Sequence, residues 1–206
     1  MVYAKRKLNP VVEILVILFG YLIGSIPSGY LVGARSGVDI RKTGSGNIGA
    51  TNVARVLGKT RGILTLIADV GKGYLAVFLP TQLELALPII VLAGLAAFLG
   101  HLFPIFLNFR GGKGVATALG VLLALAPLAT AVLVIVFAAT ILISRITSIA
   151  SMTAAVAAPV VLWLLSYPPV VVSGGTVMAL LIILRHHSNL RRLFAGTEPR
   201  FGANSR

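Results

Sequence analysis

Arg110, Gly111, Gly112, Lys113 and Gly114 interrupt two long apolar runs. Three glycines permit a tight turn in which several N–H groups face one point. The apolar run that follows is expected to be a helix, whose N-terminal end adds partial positive charge. Arg110 and Lys113 add two full charges. Amides, a helix N-terminus and two cations together suit a phosphate or another anion. His101, just upstream, is either a packed, hydrogen-bonded ring or a base or phosphate ligand.

A second candidate lies in GSGNIGATN, Gly44 to Asn52. Gly44, Gly46 and Gly49 match G-x-G-x-x-G, but no strand precedes them and no βαβ unit follows, so a dinucleotide fold is rejected. The backbone physics survives: glycines let amides converge, with Ser45, Asn47, Thr51 and Asn52 as further hydrogen-bonding groups and Arg55 close behind. Arg145, Ser148 and Ser151 are three apart and share a helical face or a turn. The tail, RHHSNLRRLFAGTEPR from Arg185 to Arg200, places His186 and Asn189 about one turn apart. Its Leu190, Leu193 and Phe194 form an apolar edge among arginines, suited to an anionic membrane surface.

These segments hold cations, hydroxyls, amides and histidines, with Asp39 and Glu198 as the acids. A Mg-nucleotide or two-metal site wants two or more carboxylates, so metal chemistry is disfavoured and no cofactor is expected. There is no Walker motif. Neither His101 nor His186 is followed by an acid five residues on, which removes the usual motif of coenzyme-A-dependent glycerolipid acyltransferases. Cations and amides without acids suit a reaction between two phosphorylated species. The site would bind phosphates, orient the reactants and stabilise developing negative charge.

The elements that must position these residues are membrane spans. Of 206 residues, 57% are hydrophobic and 11% charged, against roughly 45–50% and about 25% in soluble domains. The fold class is therefore all-α and polytopic, a single integral membrane domain over residues 1–206. There are no cysteines, which excludes disulfides and thiol chemistry. The net charge of +13 sits in the loops between spans. Anionic headgroups or substrates are thus expected as partners, and nucleic acid is not. No small-residue cleavage site follows Lys5, Arg6 and Lys7, so the first apolar run reads as an uncleaved helix.

The expected spans begin with Val11–Ala34, bent at Pro27 and striped with small residues for close packing. Gly62–Leu79 follows, with Asp69 and Lys72 on one face as a structural ion pair or a support for the site. Leu85–Leu107 is the third. Arg35–Arg61 is expected to be the longest loop. Val115–Ser144 carries no charge and is either one span or a hairpin at Pro127. Two halves of roughly 21 Å are short for a hydrocarbon core of about 30 Å. The charges decide for the hairpin: with seven spans every basic loop falls on one side, leaving Lys5, Arg6 and Lys7 on the other and Lys72 inside. The positive-inside rule then puts the N-terminus outside and the C-terminus in the cytoplasm, although the Lys5–Lys7 cluster argues the other way. Ala150–Leu165 and Val170–Leu184 complete the set, joined by Tyr167-Pro168-Pro169.

GSGNIGATNVAR, HLFPIFLNFRGGKGVATALG and RHHSNLRRLFAGTEP, with the RITSIAS turn between the last two, together resemble the bacterial acylphosphate:glycerol-3-phosphate acyltransferase family. The likeness runs in order over nearly the whole chain. It implies a seven-helix bacterial inner-membrane enzyme of phospholipid biosynthesis whose active site faces the cytoplasm. Such an enzyme moves a fatty acyl group from acyl phosphate to the 1-hydroxyl of glycerol 3-phosphate, giving lysophosphatidic acid and phosphate. The donor comes from a separate soluble enzyme, a functional link rather than a cofactor. By the resemblance, Arg55, Lys113, His186 and Asn189 hold glycerol 3-phosphate, while Gly44 to Thr51 and Ser148 take the donor phosphate. Lys113, Ser148, His186 and Asn189 form the catalytic set. Gly44, Ser45, Gly46, Asn47, Gly49, Thr51, Asn52, Arg55, His101, Gly111, Gly112 and Gly114 are the substrate-binding candidates. The acyl chain would lie between helices, open to lipid. The family's tail reads Arg-His-Arg-Glu-Asn, whereas here it is Arg-His-His-Ser-Asn, so His187 and Ser188 receive no role.

Acyl phosphate is already activated, so a general acid is unnecessary. The attacking proton goes to His101, to His186 or to the donor's own phosphate, and the scarcity of acids favours the phosphate. A transporter for a phosphate-type anion is the alternative class. It would need polar groups along a path through the membrane, whereas here they gather at one interface. A purely structural anchor would not need three such loops.

Overall fold

A computed structural model describes residues 9–200, and the described residues are helical with no strand among them. The Lys5–Lys7 cluster lies outside the described residues. The chain forms two compact units divided between Leu125 and Ala126.

The first unit opens with α1 (Pro10–Ser25). Asn9 caps it, accepting from the Val11 N–H at 3.0 Å, Pro10 needs no amide partner at the helix start, and Glu13 favours the first turn. The chain breaks at Ile26–Pro27 and resumes as α2 (Ser28–Arg35). The expected span, bent at Pro27, is thus one apolar stretch, Pro10–Arg35, built of two helices, because Pro27 has no N–H to carry the ladder across. Next come α3 (Ala50–Leu57), α4 (Lys59–Gln82), α5 (Leu87–Leu102) and α6 (Val115–Leu125). The loop expected over Arg35–Arg61 therefore contains a helix, α3, and a short 3₁₀ turn at Ile40–Lys42.

Small residues set the spacing in this unit. A Cβ on Gly20 or Gly24 of α1 would collide with the Ala93 or Ala97 carbonyl of α5. One on Gly73 of α4 or Gly120 of α6 would meet the other helix's backbone. Backbones this close gain dispersion contact that larger side chains would forbid, as expected for helices with no hydrophobic drive in lipid.

The second unit comprises α7 (Pro127–Ser144), α8 (Thr147–Leu164), α9 (Pro169–Arg185) and α10 (His187–Phe194). Prolines open α7 and α9, where a missing amide costs nothing. Arg145, left-handed at φ 56°, ends α7 and turns the chain into α8. The axes of α9 and α10 differ by 51°.

Among the described residues five segments are long and apolar enough to cross a membrane, six if the bent α9–α10 pair is one span. The α6 helix has 11 residues, about 16 Å against a core of about 30 Å. Outward faces are apolar: Ile14, Leu15 and Leu18 of α1 and Ile63 and Ile67 of α4 are exposed, and Ile143 of α7 is 87% exposed. Leucine and isoleucine in such density on the outside suit a hydrocarbon surround.

Candidate functional site

In the first unit the Gly44–Asn52 segment is a built loop organised by Asn52, which is 2% exposed. Its Oδ1 accepts from the Ser45 N–H at 2.8 Å. Its Nδ2 donates to the carbonyls of Ile40, Thr43 and Asn47 at 3.3, 3.1 and 2.9 Å. Asn52 thus spends its side chain on the loop and holds its neighbours rather than facing a ligand. Gly44 and Gly46 sit at φ 60° and 70°, a region that favours glycine. Asn47 Oδ1 accepts from the Gly49 N–H at 2.8 Å. Ser45 and Thr51 are exposed, as is Arg55 in the last turn of α3.

Beneath the loop, Ile40, Ile48 and Val53 form a buried apolar cluster with Leu107. Leu107 belongs to the segment that leads into the Gly111–Gly114 turn, so one small core anchors both phosphate-site candidates of this unit. Asp39 and Arg41 pair at 2.9 Å beside it, and the Arg41 guanidinium lies over the Tyr30 ring. The hydrogen bond from Arg41 holds the Asp39 carboxyl down at about 2.

The Gly111–Gly114 turn is moulded to the end of α5. The Gly111 N–H donates to the Leu102 carbonyl and the Gly112 N–H to the His101 carbonyl, each at 3.1 Å. These two amides were expected to face an anion; instead they zip the turn to carbonyls that α5 leaves unsatisfied at its C-terminus. The glycines serve close approach. A Cβ on Gly111 would strike the His101 and Leu102 carbonyls, one on Gly112 the His101 ring, and one on Gly114 the Phe98 ring. Lys113, half-buried, is the one side chain carried between these glycines.

His101 is 4% exposed, with Nδ1 at 3.5 Å from Asp69 Oδ1. Asp69 also pairs with Lys72 at 2.9 Å and accepts from the Ser28 hydroxyl at 2.5 Å. Lys72 Nζ donates to the Ile26 carbonyl at 2.9 Å, a group released by the break at Pro27. The sequence spacing anticipated the Asp69–Lys72 pair; its ties to His101 and the α1–α2 break span the chain and had no local signal.

In the second unit Ser148 lies in the first turn of α8 and Asn189 on α10, both buried. One carboxylate joins them. Glu198 Oε1 accepts from Ser148 Oγ at 2.7 Å and Asn189 Nδ2 at 2.5 Å, and Oε2 accepts from Arg192 Nε at 2.7 Å. Burial pushes the Glu198 pKa up, but the bonds from Ser148, Asn189 and Arg192 outweigh it and hold the carboxyl below its ordinary range. Sequence reasoning assigned Glu198 no role, though a lone acid within an arginine-rich tail was a usable signal. His186, 2% exposed, places Nδ1 at 2.8 Å from the Ile182 carbonyl. A carbonyl only accepts, so Nδ1 carries a proton. His187 is exposed, with Nδ1 3.2 Å from the Leu184 carbonyl.

Known proteins bear on these elements directly. The glycerol-3-phosphate acyltransferase family model matches residues 14–196. Proteins named glycerol-3-phosphate acyltransferase from Geobacter metallireducens and Geotalea daltonii are 53% and 47% identical, over 93% and 90% of this chain and 99% and 96% of theirs. Crystal structures of PlsY, an integral membrane glycerol 3-phosphate acyltransferase, match in its glycerol 3-phosphate and lysophosphatidic acid forms. Their TM-scores are 0.89 and 0.87 and their identities 41% and 40%, each covering 93% of this chain and 96% of the other. With the family's pattern running from α1 to the end of α10, the chain belongs to the glycerol-3-phosphate acyltransferase family.

Proposed function

We propose that this protein is an integral membrane acyltransferase that moves a fatty acyl group from acyl phosphate to the 1-hydroxyl of glycerol 3-phosphate. The products are lysophosphatidic acid and inorganic phosphate, for phospholipid biosynthesis. The observation that carries this reading is the match across 93% of the chain to structures in glycerol 3-phosphate and lysophosphatidic acid forms. A soluble enzyme that makes acyl phosphate is the expected upstream link. The setting is the bacterial inner membrane, crossed seven times, with the N-terminus outside and the basic segments in the cytoplasm. The α6 helix is then the short seventh crossing, and the distribution of Lys and Arg supports this orientation.

Lys113 and Arg55 supply charge to the phosphate of glycerol 3-phosphate, with His186 and Asn189 orienting its hydroxyl. The Gly44–Thr51 loop and Ser148 take the donor phosphate. The C1 oxygen attacks the acyl carbonyl, giving a tetrahedral oxyanion that Lys113 stabilises. The bond to the phosphate oxygen then breaks, and the departing phosphate carries off the hydroxyl proton. Binding both anions side by side supplies most of the rate by orientation. His186 aligns the hydroxyl without becoming the base, leaving its proton for the phosphate.

Purified protein given acyl phosphate and radiolabelled glycerol 3-phosphate is expected to form labelled lysophosphatidic acid, and absence of labelled lipid overturns the reading. For the proton, a limb near pH 6.5 in kcat that vanishes in His101→Ala or His186→Ala would transfer the base role to histidine.

A further inference from the structure

The buried network around Asp69 ends at a functional turn. Its carboxylate gathers Ser28 of α2, Lys72 of α4 and His101 of α5. All four side chains are buried, Asp69 to 1% and His101 to 4%. An ion pair at this depth is expensive and weak as a source of stability. The packed glycine contacts already hold α1, α4, α5 and α6 together. The network's geometry points elsewhere. His101 faces Asp69 with Nδ1, while its Nε2 is the atom that a Cβ on Gly112 would meet first. Its backbone carbonyl takes the Gly112 N–H. One residue therefore touches the Lys113-bearing turn through both ring and backbone, with the Asp69 carboxylate 3.5 Å from the ring's other nitrogen.

We propose that Asp69 and His101 are positioning residues: the carboxylate orients the imidazole, and the imidazole sets the height and direction of the Gly112–Lys113 backbone. Ser28 and Lys72 hold the carboxylate in place, with Lys72 neutralising it and clamping the Ile26 carbonyl. The proposal rests on the reading that Lys113 holds the phosphate of glycerol 3-phosphate. Neither residue touches substrate. Their effect reaches the reaction as an error in where Lys113 stands, so it falls on one substrate and not the other.

The test is steady-state kinetics on the purified protein with a long-chain acyl phosphate and glycerol 3-phosphate, each varied in turn, with thermal unfolding measured alongside. His101→Leu keeps the bulk and removes both ring nitrogens. It is expected to raise KM for glycerol 3-phosphate about tenfold while KM for acyl phosphate stays within about twofold. His101→Gln, whose amide nitrogen lies near the position of Nε2, is expected to recover most of that loss. Asp69→Asn should shift the same constant in the same direction; if it does not fold, Ser28→Ala, which removes one donor from the carboxylate, gives the smaller shift of the same sign. Unchanged constants, equal losses for both substrates, or a Gln variant no better than Leu would overturn the proposal. If Lys113→Ala itself leaves KM for glycerol 3-phosphate unchanged, the underlying reading falls and the positioning role with it. If Lys113→Ala raises it but the His101 variants do not, the positioning role alone falls.

Discussion

The Asn189 side-chain amide donates to the Glu198 carboxylate at 2.5 Å, and the same oxygen takes the Ser148 hydroxyl at 2.7 Å. One acid thus ties α10 to the start of α8. Glu198→Gln keeps the size and removes the charge. Losing charge-assisted bonds to groups this buried is expected to cost about 1.5–3 kcal/mol. It should also lower turnover by releasing Ser148 and Asn189. Unfolding midpoints and kcat of the purified variant check both.

The same carboxylate predicts a pH effect. Its folded pKa is lower than its unfolded one, so its stabilisation is complete above the ordinary carboxylate range and fades as pH falls through the folded value. Thermal midpoints measured down through the acid range should drop more steeply in the parent protein than in Glu198→Gln. Parallel curves would remove Glu198 from that role.

Asn52 supports a sharper substitution. Asn52→Asp preserves volume and Oδ1 but turns a second carboxylate oxygen toward the carbonyls of Ile40, Thr43 and Asn47. Repulsion in a buried loop should make it at least as damaging as Asn52→Ala, itself expected to cost about 1–3 kcal/mol. Acyl phosphate KM should rise in both variants.

Gly24→Val tests helix spacing. A Cβ there runs into the Ala97 carbonyl, so α1 and α5 must separate, at an expected cost of about 1–3 kcal/mol. Stability should fall, with both Michaelis constants moving less than in Asn52→Ala.

The chain has no cysteine, so single substitutions report the topology directly. Gly37→Cys and Thr197→Cys should react with a membrane-impermeant thiol reagent only in inside-out vesicles. Ser166→Cys should react only in right-side-out ones. Ser166→Cys and Thr197→Cys labelled from the same side would break the seven-span arrangement.

Much of this was readable from sequence where chemistry is local. Apolar runs located the long helices, and prolines marked the break at Pro27 and the starts of α7 and α9. The Asp69–Lys72 spacing foretold their pairing. The α3 helix escaped because its polar, glycine-led sequence looks like loop until Ile40, Ile48 and Leu107 give its apolar side a partner. Gly111 and Gly112 were seen as sources of free amides, since nothing nearby showed that α5 carbonyls would take them. Glu198 and His101 act through contacts fifty and more than thirty residues away in the chain, a distance no periodicity encodes.

The most direct measurement gives purified protein glycerol 3-phosphate with either acyl phosphate or acyl-coenzyme A and follows inorganic phosphate and lysophosphatidic acid together. Equal amounts of both products from acyl phosphate, dependent on glycerol 3-phosphate and Lys113, with the thioester inert, is the predicted result. Lysophosphatidic acid formed from the thioester while acyl phosphate stays intact would contradict it.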